Sequence, residues 1–333
     1  MTAPVLAVQD LTTVLHLASG AATVVNGVSF DILPGETVAL VGESGCGKSM
    51  TMLSVMGLHP SPPAEIVSGH VELEGVDLLG MTEEKRRLKR GADLAMVYQD
   101  PMTSLNPLMR IGDQISEVLV AHGRSHKEAR HRTMEVLGQV GIPQPARAAN
   151  SYPHEFSGGM RQRVVIAIAL ALRPKVLIAD EPTTALDVTI QQQIIDLVRE
   201  IQADTGMAVV WITHDLGVVA RVAGRMLVMY GGHIVETGLT ADVFGRPEHP
   251  YTSGLLKAVP PVRGRERPPL LQIPGTPPDP EHQPPGCPFN PRCPEAIERC
   301  RQEMPPETAR HGPTDDGQLQ TAACWVPPSE WVA

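Results

Sequence analysis

Short apolar runs alternate with helical patterns over roughly the first 255 residues of the chain. Between Asp100 and Leu172, apolar positions recur at helical spacing, with polar loops between them. Elsewhere the runs are five or six residues long without polar alternation, which is typical of strands buried on both faces of a parallel sheet. These runs are Thr37–Gly42, Lys175–Asp180, Ala208–Thr213 and Met226–Tyr230. This order of elements predicts an α/β protein built from βαβ units.

Proline divides the chain near residue 260. Of the 32 prolines, 18 lie between Pro260 and the C-terminus. Each removes a backbone donor and fixes φ, so the stretch "PPVRGRERPPLLQIPGTPPDPEHQPP" predicts an extended linker and excludes a regular helix or a central strand. We therefore expect a large domain at residues 1–259 and a small extension at residues 260–333.

Charge and apolar content limit the possible functions. The formal net charge is −9, which argues against binding of the nucleic-acid backbone as the main activity. The longest purely apolar run, Val164–Leu172, has nine residues, whereas a membrane-spanning helix needs about twenty. The start "MTAPVLAVQD" has neither the basic nor the long apolar segment of a signal peptide. We expect a cytosolic protein, in which clustered cysteines are more often metal ligands than disulfides.

A phosphate-loop motif follows the first of these predicted strands. The sequence "GESGCGKS" matches the pattern G-x-x-x-x-G-K-S/T, whose backbone N–H groups surround phosphate oxygens. Lys48 would bring a positive charge to the β- and γ-phosphates, Ser49 would bind Mg²⁺, and Cys46 would be a small filler. The helix that starts here points its positive end at the phosphates. The predicted nucleotide-binding residues of this region are Gly42, Ser44, Gly45, Cys46, Gly47, Lys48, Ser49 and Met50.

Two further motifs fit an NTPase. The predicted strand "KVLIAD" ends in Asp180, and Glu181 follows at the edge where strand ends open into the crevice of an α/β sheet. Asp180 can reach a magnesium ion, and Glu181 can polarise a water in line with the γ-phosphate. Upstream, "EFSGGMRQR" places Ser157, Gly158 and Gly159 before an apolar helical run. This is typical of a capped helix N-terminus that can bind an anion.

Taken together, these motifs resemble those of a known family, the ATP-binding subunits of ABC transporters. The signature of that family is LSGGQ, and "FSGGM" stands in its place. The stretches "VYQD", "TTALD" and "WITHD" put Gln99, Asp187 and His214 at the positions of the family's Q-loop, D-loop and switch histidine. The resemblance implies an ATPase in which Glu181, His214 and Gln99 are catalytic. It also implies that Gln99 and Ser49 bind Mg²⁺.

The resemblance implies a fold and a composite ATP site. The implied fold is a RecA-like P-loop ATPase core with an antiparallel β subdomain and a helical subdomain at about residues 100–172, followed by a small Cys/Pro-rich C-terminal extension. Two subunits of this family meet head to tail, so Ser157 and Gly159 of one subunit cover the ATP held by the other. Gly158 and Asp187 are also implied to bind the nucleotide. The family usually places an aromatic residue near its start to stack on adenine. Here Leu15 holds that position, so either Leu15 packs on the base or His16 stacks on it.

Four longer stretches resemble the ATPase subunits of dipeptide, oligopeptide and nickel importers. They are "QDPMTSLNP", "SYPHEFSGGMRQR", "EHPYTSGLL" and the ending that begins "GCPFNPRC". The resemblance implies a peripheral protein at the cytoplasmic face of the inner membrane that powers peptide import. Its partners would be a second ABC ATPase subunit in a heterodimer, two transmembrane permease subunits and, indirectly, an external substrate-binding protein. The segment Asp100–Glu117 would contact the permease.

Three other interpretations remain open. The same family includes importers of nickel and other small solutes. A soluble ABC protein that acts on DNA or ribosomes is disfavoured because the chain carries one cassette and an acidic balance, so we expect no nucleic-acid partner. A regulatory or redox-sensing module would bind ATP only as a ligand, and the presence of both Glu181 and His214 argues against it.

Four of the five cysteines fall in the C-terminal extension. They are Cys287, Cys293, Cys300 and Cys324, separated by five, six and 23 residues. Four thiolates can hold either Zn²⁺ or a 4Fe–4S cluster, and these gaps are wider than the spacing of about two to four residues in zinc ribbons. Members of the resembled branch carry such a cluster, so we expect the cluster, with zinc or four unpaired thiols as alternatives. Its role would be structural, because a proline-rich extension of roughly 70 residues has too little core to fold unaided.

Overall fold

Residues 2–184, 186–258, 272–310 and 319–331 of the chain are described in a computed structural model. As far as they are described, they divide into two units, each assembled from several stretches of the chain. The first unit comprises Met1–Leu6, Ile32–Glu36 and Glu74–Trp211, and the second comprises Ala7–Asp31, Thr37–Leu73 and Ile212–Ala333. Residues 260–271, at the start of the predicted linker, lie outside the described residues, and the rest of the linker, up to Pro285, contains no helix or strand.

The structure contains the predicted strands and the predicted helical region in the order that the apolar pattern indicated. The strands are β1 (Leu6–Leu17), β2 (Gly20–Ile32), β3 (Thr37–Val41), β4 (Ala64–Leu73), β5 (Val76–Asp77), β6 (Leu94–Val97), β7 (Val176–Asp180), β8 (Ala208–Thr213), β9 (Arg225–Tyr230), β10 (His233–Leu239), β11 (Thr308–Ala309) and β12 (Thr321–Ala322). The α-helices are α1 (Lys48–Met56), α2 (Glu83–Lys89), α3 (Pro101–Ser104), α4 (Ile111–Ala121), α5 (His126–Gln139), α6 (Pro145–Ala148), α7 (Gly158–Leu170), α8 (Val188–Thr205), α9 (Leu216–Val222), α10 (Thr240–Gly245) and α11 (Pro250–Lys257). The four predicted strands are β3, β7, β8 and β9, and the predicted helical region contains α3 to α7, so both predictions are confirmed.

The first unit combines parallel strands with a group of helices. β6 and β7 pair in parallel, with Leu94 opposite Val176, and β8 lies next to β7. α4 and α5 pack against each other and against α7, which also packs on β6. The apolar run Val164–Leu172 supplies most of the buried side chains of α7. Among the helices of the described residues, none has the length and apolar character needed to cross a bilayer.

The second unit contains the strand that leads into the phosphate loop. β3 and β9 pair in parallel, with Val41 opposite Val228, and β9 returns as the antiparallel strand β10 through Gly231 and Gly232. In the same unit β1 and β2 form a hairpin, and β4 lies next to β1. A buried hydrogen bond of 2.8 Å between the hydroxyls of Thr13 and Ser54 joins β1 to α1.

The C-terminal extension prolongs the sheet that carries the phosphate loop. β12 pairs with β10 in antiparallel register, with Glu236 opposite Ala322, and β11 pairs with β12. Glu236 is fully buried, and its carboxylate accepts hydrogen bonds from the backbone N–H of Glu248 at 2.8 Å and of His249 at 3.0 Å and from the side chain of Gln320 at 2.9 Å. Because buried carboxylates are stable only when such donors surround them, this group ties the extension to the end of the sheet.

One hydrophobic cluster of the second unit joins β3 to the cysteine-containing segment. The rings of Tyr230, Tyr251 and Phe289 lie at its centre, with centroid distances of 4.5 Å for Tyr230–Tyr251 and 5.1 Å for Tyr230–Phe289. Cys287 and Cys300 belong to the same cluster as Val41 and Val228 of the sheet. Aromatic pairs at such distances each contribute roughly 0.5–1.5 kcal/mol beyond simple burial. The extension therefore obtains from the sheet the core that a short proline-rich segment lacks.

Candidate nucleotide-binding and hydrolysis site

The phosphate loop connects β3 to α1 and packs closely on neighbouring backbone. Gly47 has φ 106°, and a Cβ at this position would lie 2.4 Å from the carbonyl oxygen of Val24. A Cβ on Gly42 would lie 2.2 Å from the carbonyl oxygen of Met229. Backbone atoms cannot move aside as a flexible side chain can. The loop adopts this path only because both positions are glycine.

Lys48 is held on the inner side of the loop. Its side chain is buried, with a residue exposure of 6%. The ammonium Nζ donates hydrogen bonds to the carbonyl oxygens of Gly42 at 2.8 Å and Glu43 at 2.9 Å, and it lies 3.7 Å from Cys46 Sγ. A buried charge needs such acceptors. These hydrogen bonds hold the Lys48 ammonium group at the loop that is predicted to bind the phosphates.

The other predicted residues of the loop differ in their exposure to solvent. Ser44, Gly45 and Ser49 are exposed, whereas Met50 is half-buried on the first turn of α1. Burial raises the pKa of the Cys46 thiol, although the positive charge of Lys48 opposes the shift. A protonated thiol is a poor nucleophile, which agrees with the interpretation of Cys46 as a filler.

The candidate catalytic carboxylate lies in the first unit, where β6 and β7 end side by side. Asp180 is the buried last residue of β7, and Glu181 follows with φ 45°, an uncommon conformation for a residue other than glycine. Oε2 of Glu181 accepts hydrogen bonds from Gln99 Nε2 and from Thr184 Oγ1, both at 2.9 Å. The parallel pairing of the two strands thus brings together Gln99 and Glu181, which are 82 residues apart.

The signature segment begins α7 in the same unit. Ser157 is the N-cap residue, and its Oγ accepts a hydrogen bond from the backbone N–H of Met160 at 3.4 Å. Gly158 is exposed and Gly159 is half-exposed. The predicted capped helix N-terminus is present, and such a terminus attracts anions through its backbone N–H groups and its dipole.

The remaining predicted residues occupy helix starts and strand ends. Asp187 is the N-cap of α8, and its Oδ1 accepts two backbone N–H groups at 3.0 and 2.9 Å. His214 is exposed directly after β8. Leu15 is half-buried on β1, and the neighbouring His16 is exposed and shares a hydrogen bond of 2.7 Å with Glu65.

Sequence patterns did not point to two side chains near these sites. Thr184 binds the Glu181 carboxylate, and a hydroxyl three residues after a carboxylate is a short-range signal that could have been recognised. Glu43 is an unspecified position of the phosphate-loop pattern, and its side chain pairs with Arg292, which is 249 residues away. No local pattern can reveal a partner at that separation.

The four cysteines of the extension line one small cavity. Cys287 and Cys300 are buried, whereas Cys293 and Cys324 are half-buried. The backbone N–H of Cys287 donates to the carbonyl oxygen of Cys300 at 2.8 Å, which holds two of the thiol-bearing turns together. The structure thus brings together the four thiols that the sequence analysis grouped.

Two of these thiols, Cys287 and Cys293, are placed where ionisation is unfavourable. Burial raises the pKa of Cys287 to about 11 and that of Cys293 to about 12, and the other cysteines add to both shifts because neighbouring thiolates would repel each other. A bound cation would reverse this preference by stabilising thiolates. In the arrangement described, no group of three or more His, Cys, Asp or Glu side chains among the described residues is placed to hold a metal ion. The structure therefore shows a cluster of thiols and does not define a metal centre.

Comparisons with known proteins agree with this geometry. A family model described as "ABC transporter" matches residues 25–184, and one described as "Oligopeptide/dipeptide transporter, C-terminal region" matches residues 235–300. The dipeptide transport ATP-binding protein DppD of Bacillus subtilis is 49% identical over 325 residues, which cover 97% of this chain and 94% of that protein. The oligopeptide transport ATP-binding protein OppD of the same organism is 49% identical over 302 residues, covering 90% of this chain and 84% of that protein.

Solved structures give the same result for the fold. The dimeric structure of MJ0796, a bacterial ABC transporter cassette, matches with a TM-score of 0.63 and 27% identity, covering 71% of this chain and 98% of that one. The protein is therefore an ABC-type ATPase, and the predicted RecA-like P-loop fold is confirmed. More narrowly, the chain belongs to the family of ATP-binding subunits of dipeptide and oligopeptide ABC transporters. Membership of this family implies membrane permease partners.

Replacement of Lys48 tests the phosphate loop. Lys48→Ala removes the buried cation, and hydrogen bonds to charged groups contribute roughly 1.5–3 kcal/mol, so we expect MgATP affinity to fall at least about tenfold. Titration calorimetry of the purified protein measures the affinity. Lys127→Ala changes an exposed lysine of α5 and serves as the control. Equal affinities of Lys48→Ala and the wild type would contradict the assignment.

Proposed function

We propose that this chain is the ATP-hydrolysing subunit of a peptide importer and that it powers the uptake of dipeptides or oligopeptides. The observation that carries the proposal is 49% identity to a dipeptide transport ATP-binding protein across 97% of the chain. The protein would lie at the cytoplasmic face of the inner membrane, where its ATP hydrolysis would power transport through the permeases. Residues 1–259 would form the ATPase domain, with the helical subdomain at about 100–172, and residues 260–333 the extension.

The motif order of the family supports a role for each predicted residue in hydrolysis. Glu181 would polarise the attacking water, and the hydrogen bond from Gln99 at 2.9 Å would orient its carboxylate. Ser49, Gln99 and Asp180 would hold Mg²⁺, which neutralises charge on the phosphates. His214 would be the switch histidine next to the γ-phosphate. The residues that bind ATP would be those of the phosphate loop, Leu15 and, across a dimer interface, the signature residues and Asp187.

A second ATPase subunit is needed to complete this site. The chain has one phosphate loop and one signature segment, and we propose that it pairs head to tail with a different ATPase in a heterodimer. The solved MJ0796 cassette, described as dimeric in a post-hydrolysis state with ADP and Pi, supports pairing in this fold. The N-termini of α7 and α8 would face the partner's ATP, since Ser157, Gly158 and Val188 are exposed there.

Apolar side chains after Gln99 support contact with a permease. Leu108 is 86% exposed and Met102 is 61% exposed, both within the segment Asp100–Glu117. Exposed apolar surface can mark a site of contact with another protein. We propose that this segment carries movement from the ATPase to two transmembrane permeases, which would receive the peptide from an external binding protein.

We also propose that the four cysteines hold a 4Fe–4S cluster, with zinc as the alternative. All four thiols line one cavity, and their chemistry suits a soft metal once they are ionised. The segment around them consists of turns, short 3₁₀ helices and short strands, and it depends on contacts with the sheet for its core. A metal group would give these turns further structural support.

Hydrolysis should depend on Glu181. Glu181→Gln keeps the size of the side chain and removes the carboxylate that polarises water, so we expect ATP binding to persist while turnover falls by roughly a hundredfold or more. The closed dimer should accumulate with bound ATP. Glu200→Gln, an exposed change on α8, is the matched control. Turnover within about threefold of the wild type would contradict the role.

The composite site predicts a dependence on the partner subunit. The purified subunit should hydrolyse ATP slowly when dilute, and its rate should rise when the partner ATPase is added, because the signature of one chain completes the site of the other. Steady-state hydrolysis across a range of concentrations, with light scattering for the oligomeric state, measures this. A monomer that reaches the full transporter rate at every concentration would refute the proposal.

The cysteine site predicts a metal content. Anaerobic purification should yield brown protein with broad absorbance at about 400 nm and about four irons per chain. Cys300→Ser should lose most of the iron, whereas Cys46→Ser, outside the cavity, should retain it. Colourless protein with one zinc per chain would establish the alternative, and protein without metal would overturn the site.

A further inference from the structure

Arg292, in the cysteine-containing segment, is bonded directly to the phosphate loop. Its Nη1 and Nη2 bind the two carboxylate oxygens of Glu43, at 2.6 and 3.0 Å. The other donors of the guanidinium bind Tyr230 Oη at 3.2 Å and the carbonyl oxygens of Pro274 at 2.8 Å and Ile273 at 3.3 Å. All five N–H groups therefore have an acceptor, and the side chain is only 5% exposed. Such a bidentate pair fixes both position and orientation of the carboxylate.

Glu43 connects this pair to the predicted phosphate-binding cation. Its backbone N–H donates to Tyr251 Oη at 2.8 Å, and its carbonyl oxygen accepts from Lys48 Nζ at 2.9 Å. The residue is thus held by Arg292 through its side chain and by Tyr251 through its backbone. Displacement of Glu43 would move one of the two carbonyl oxygens on which the ammonium of Lys48 rests.

The negative charge of Glu43 is a second reason why its pairing with Arg292 matters for the binding of phosphates. A carboxylate on a loop that binds a polyphosphate would repel the ligand if it were uncompensated. The side chain of Glu43 is 26% exposed, so water screens its charge only in part. The guanidinium of Arg292 neutralises it, and the hydrogen bonds that Arg292 donates to the Glu43 carboxylate raise the pKa of Arg292 above its usual range.

A second set of contacts holds the part of the chain just before Arg292 against the phosphate loop and the backbone next to it. Gln283 Nε2 donates to the carbonyl oxygens of Gly231 at 3.0 Å and Thr23 at 3.3 Å. Gly231 has φ 54°, and a Cβ there would lie 2.8 Å from Cβ of Pro288. A narrow cavity is lined by Glu43 and Cys46 of the loop together with prolines that precede Gln283. The segment before the first extension cysteine therefore packs along the outer side of the loop.

We infer that Arg292 is a positioning residue for nucleotide binding. By orienting and neutralising Glu43, it keeps the phosphate loop and Lys48 in the arrangement that receives the nucleotide phosphates. The C-terminal extension is in this way a part of the nucleotide site of its own chain. The inference rests on the ATP-binding role of the loop, and it is independent of which metal the cysteines hold.

Removal of Arg292 should weaken nucleotide binding through the charge of Glu43. In the full-length subunit, with metal content matched between variants, Arg292→Ala should raise the Kd for MgATP about 10- to 100-fold. Addition of Glu43→Gln to that variant removes the uncompensated carboxylate and should recover most of the lost affinity. The defect of Arg292→Ala should shrink as salt rises from about 0.05 to 0.5 M, because salt screens the repulsion.

A matched control separates this role from general support of the extension. Arg299→Ala changes a nearby arginine that lies over the Trp325 ring at 3.5 Å and pairs with Glu303, so it should leave the Kd for MgATP unchanged. Arg292→Lys keeps the charge but cannot span both carboxylate oxygens, and it should weaken binding about threefold or more even if Arg292→Ala does not fold.

Four results would overturn the inference. They are unchanged affinity in Arg292→Ala, wild-type affinity in Arg292→Lys, no recovery in the double variant, and an equal loss in Arg299→Ala. The double-mutant result is the most informative, since loss of packing alone cannot be repaired by a second change in the loop. If the wild type itself fails to bind MgATP, the proposed function fails, and the inference, which rests on it, is overturned as well.

Discussion

Burial of one ammonium group constrains the whole phosphate-loop region. Lys48 is 6% exposed, and its charge must be met by acceptors inside the loop because little water reaches it. The carbonyl oxygens of Gly42 and Glu43 meet this requirement at 2.8 and 2.9 Å. They point inward only along a backbone path that leaves no space for a Cβ at Gly42 or Gly47. One electrostatic requirement, acceptors for the buried charge of Lys48, therefore explains the path of the backbone from the strand through the glycines of the loop to the helix.

The C-terminal extension adds to this arrangement because it has no core of its own. Phe289, Cys287 and Cys300 pack into the cluster that contains the β3 side chains, and β12 adds to the edge of β10. A segment held in this way presents its polar side chains at fixed positions. Arg292 is the clearest case, since its guanidinium is almost fully buried and reaches the loop with all of its donors bound. The cysteines and the nucleotide loop therefore belong to one packed structure.

The position of the Glu181 carboxylate in the first unit depends on the pairing of two parallel strands. Parallel strands end at the same edge of a sheet, so β6 and β7 deliver Gln99 and Glu181 to adjacent positions. Glu181 adopts φ 45°, and hydrogen bonds from Gln99 and Thr184 hold its side chain there. Local backbone strain of this kind persists only where the surrounding structure supports it, and it is concentrated at functional sites.

The sequence by itself determined the features that arise from neighbouring residues. The buried strands follow from short apolar runs, the phosphate loop from its glycines and lysine, and the α7 start from Ser157 before an apolar run. Only the tertiary structure decided which distant polar groups meet. The pairing of Arg292 with Glu43 and the contact of Gln320 with Glu236 depend on how strands and turns pack. Periodicity and local motifs report contacts within a few residues, whereas these partners are chosen by the packing of the whole chain.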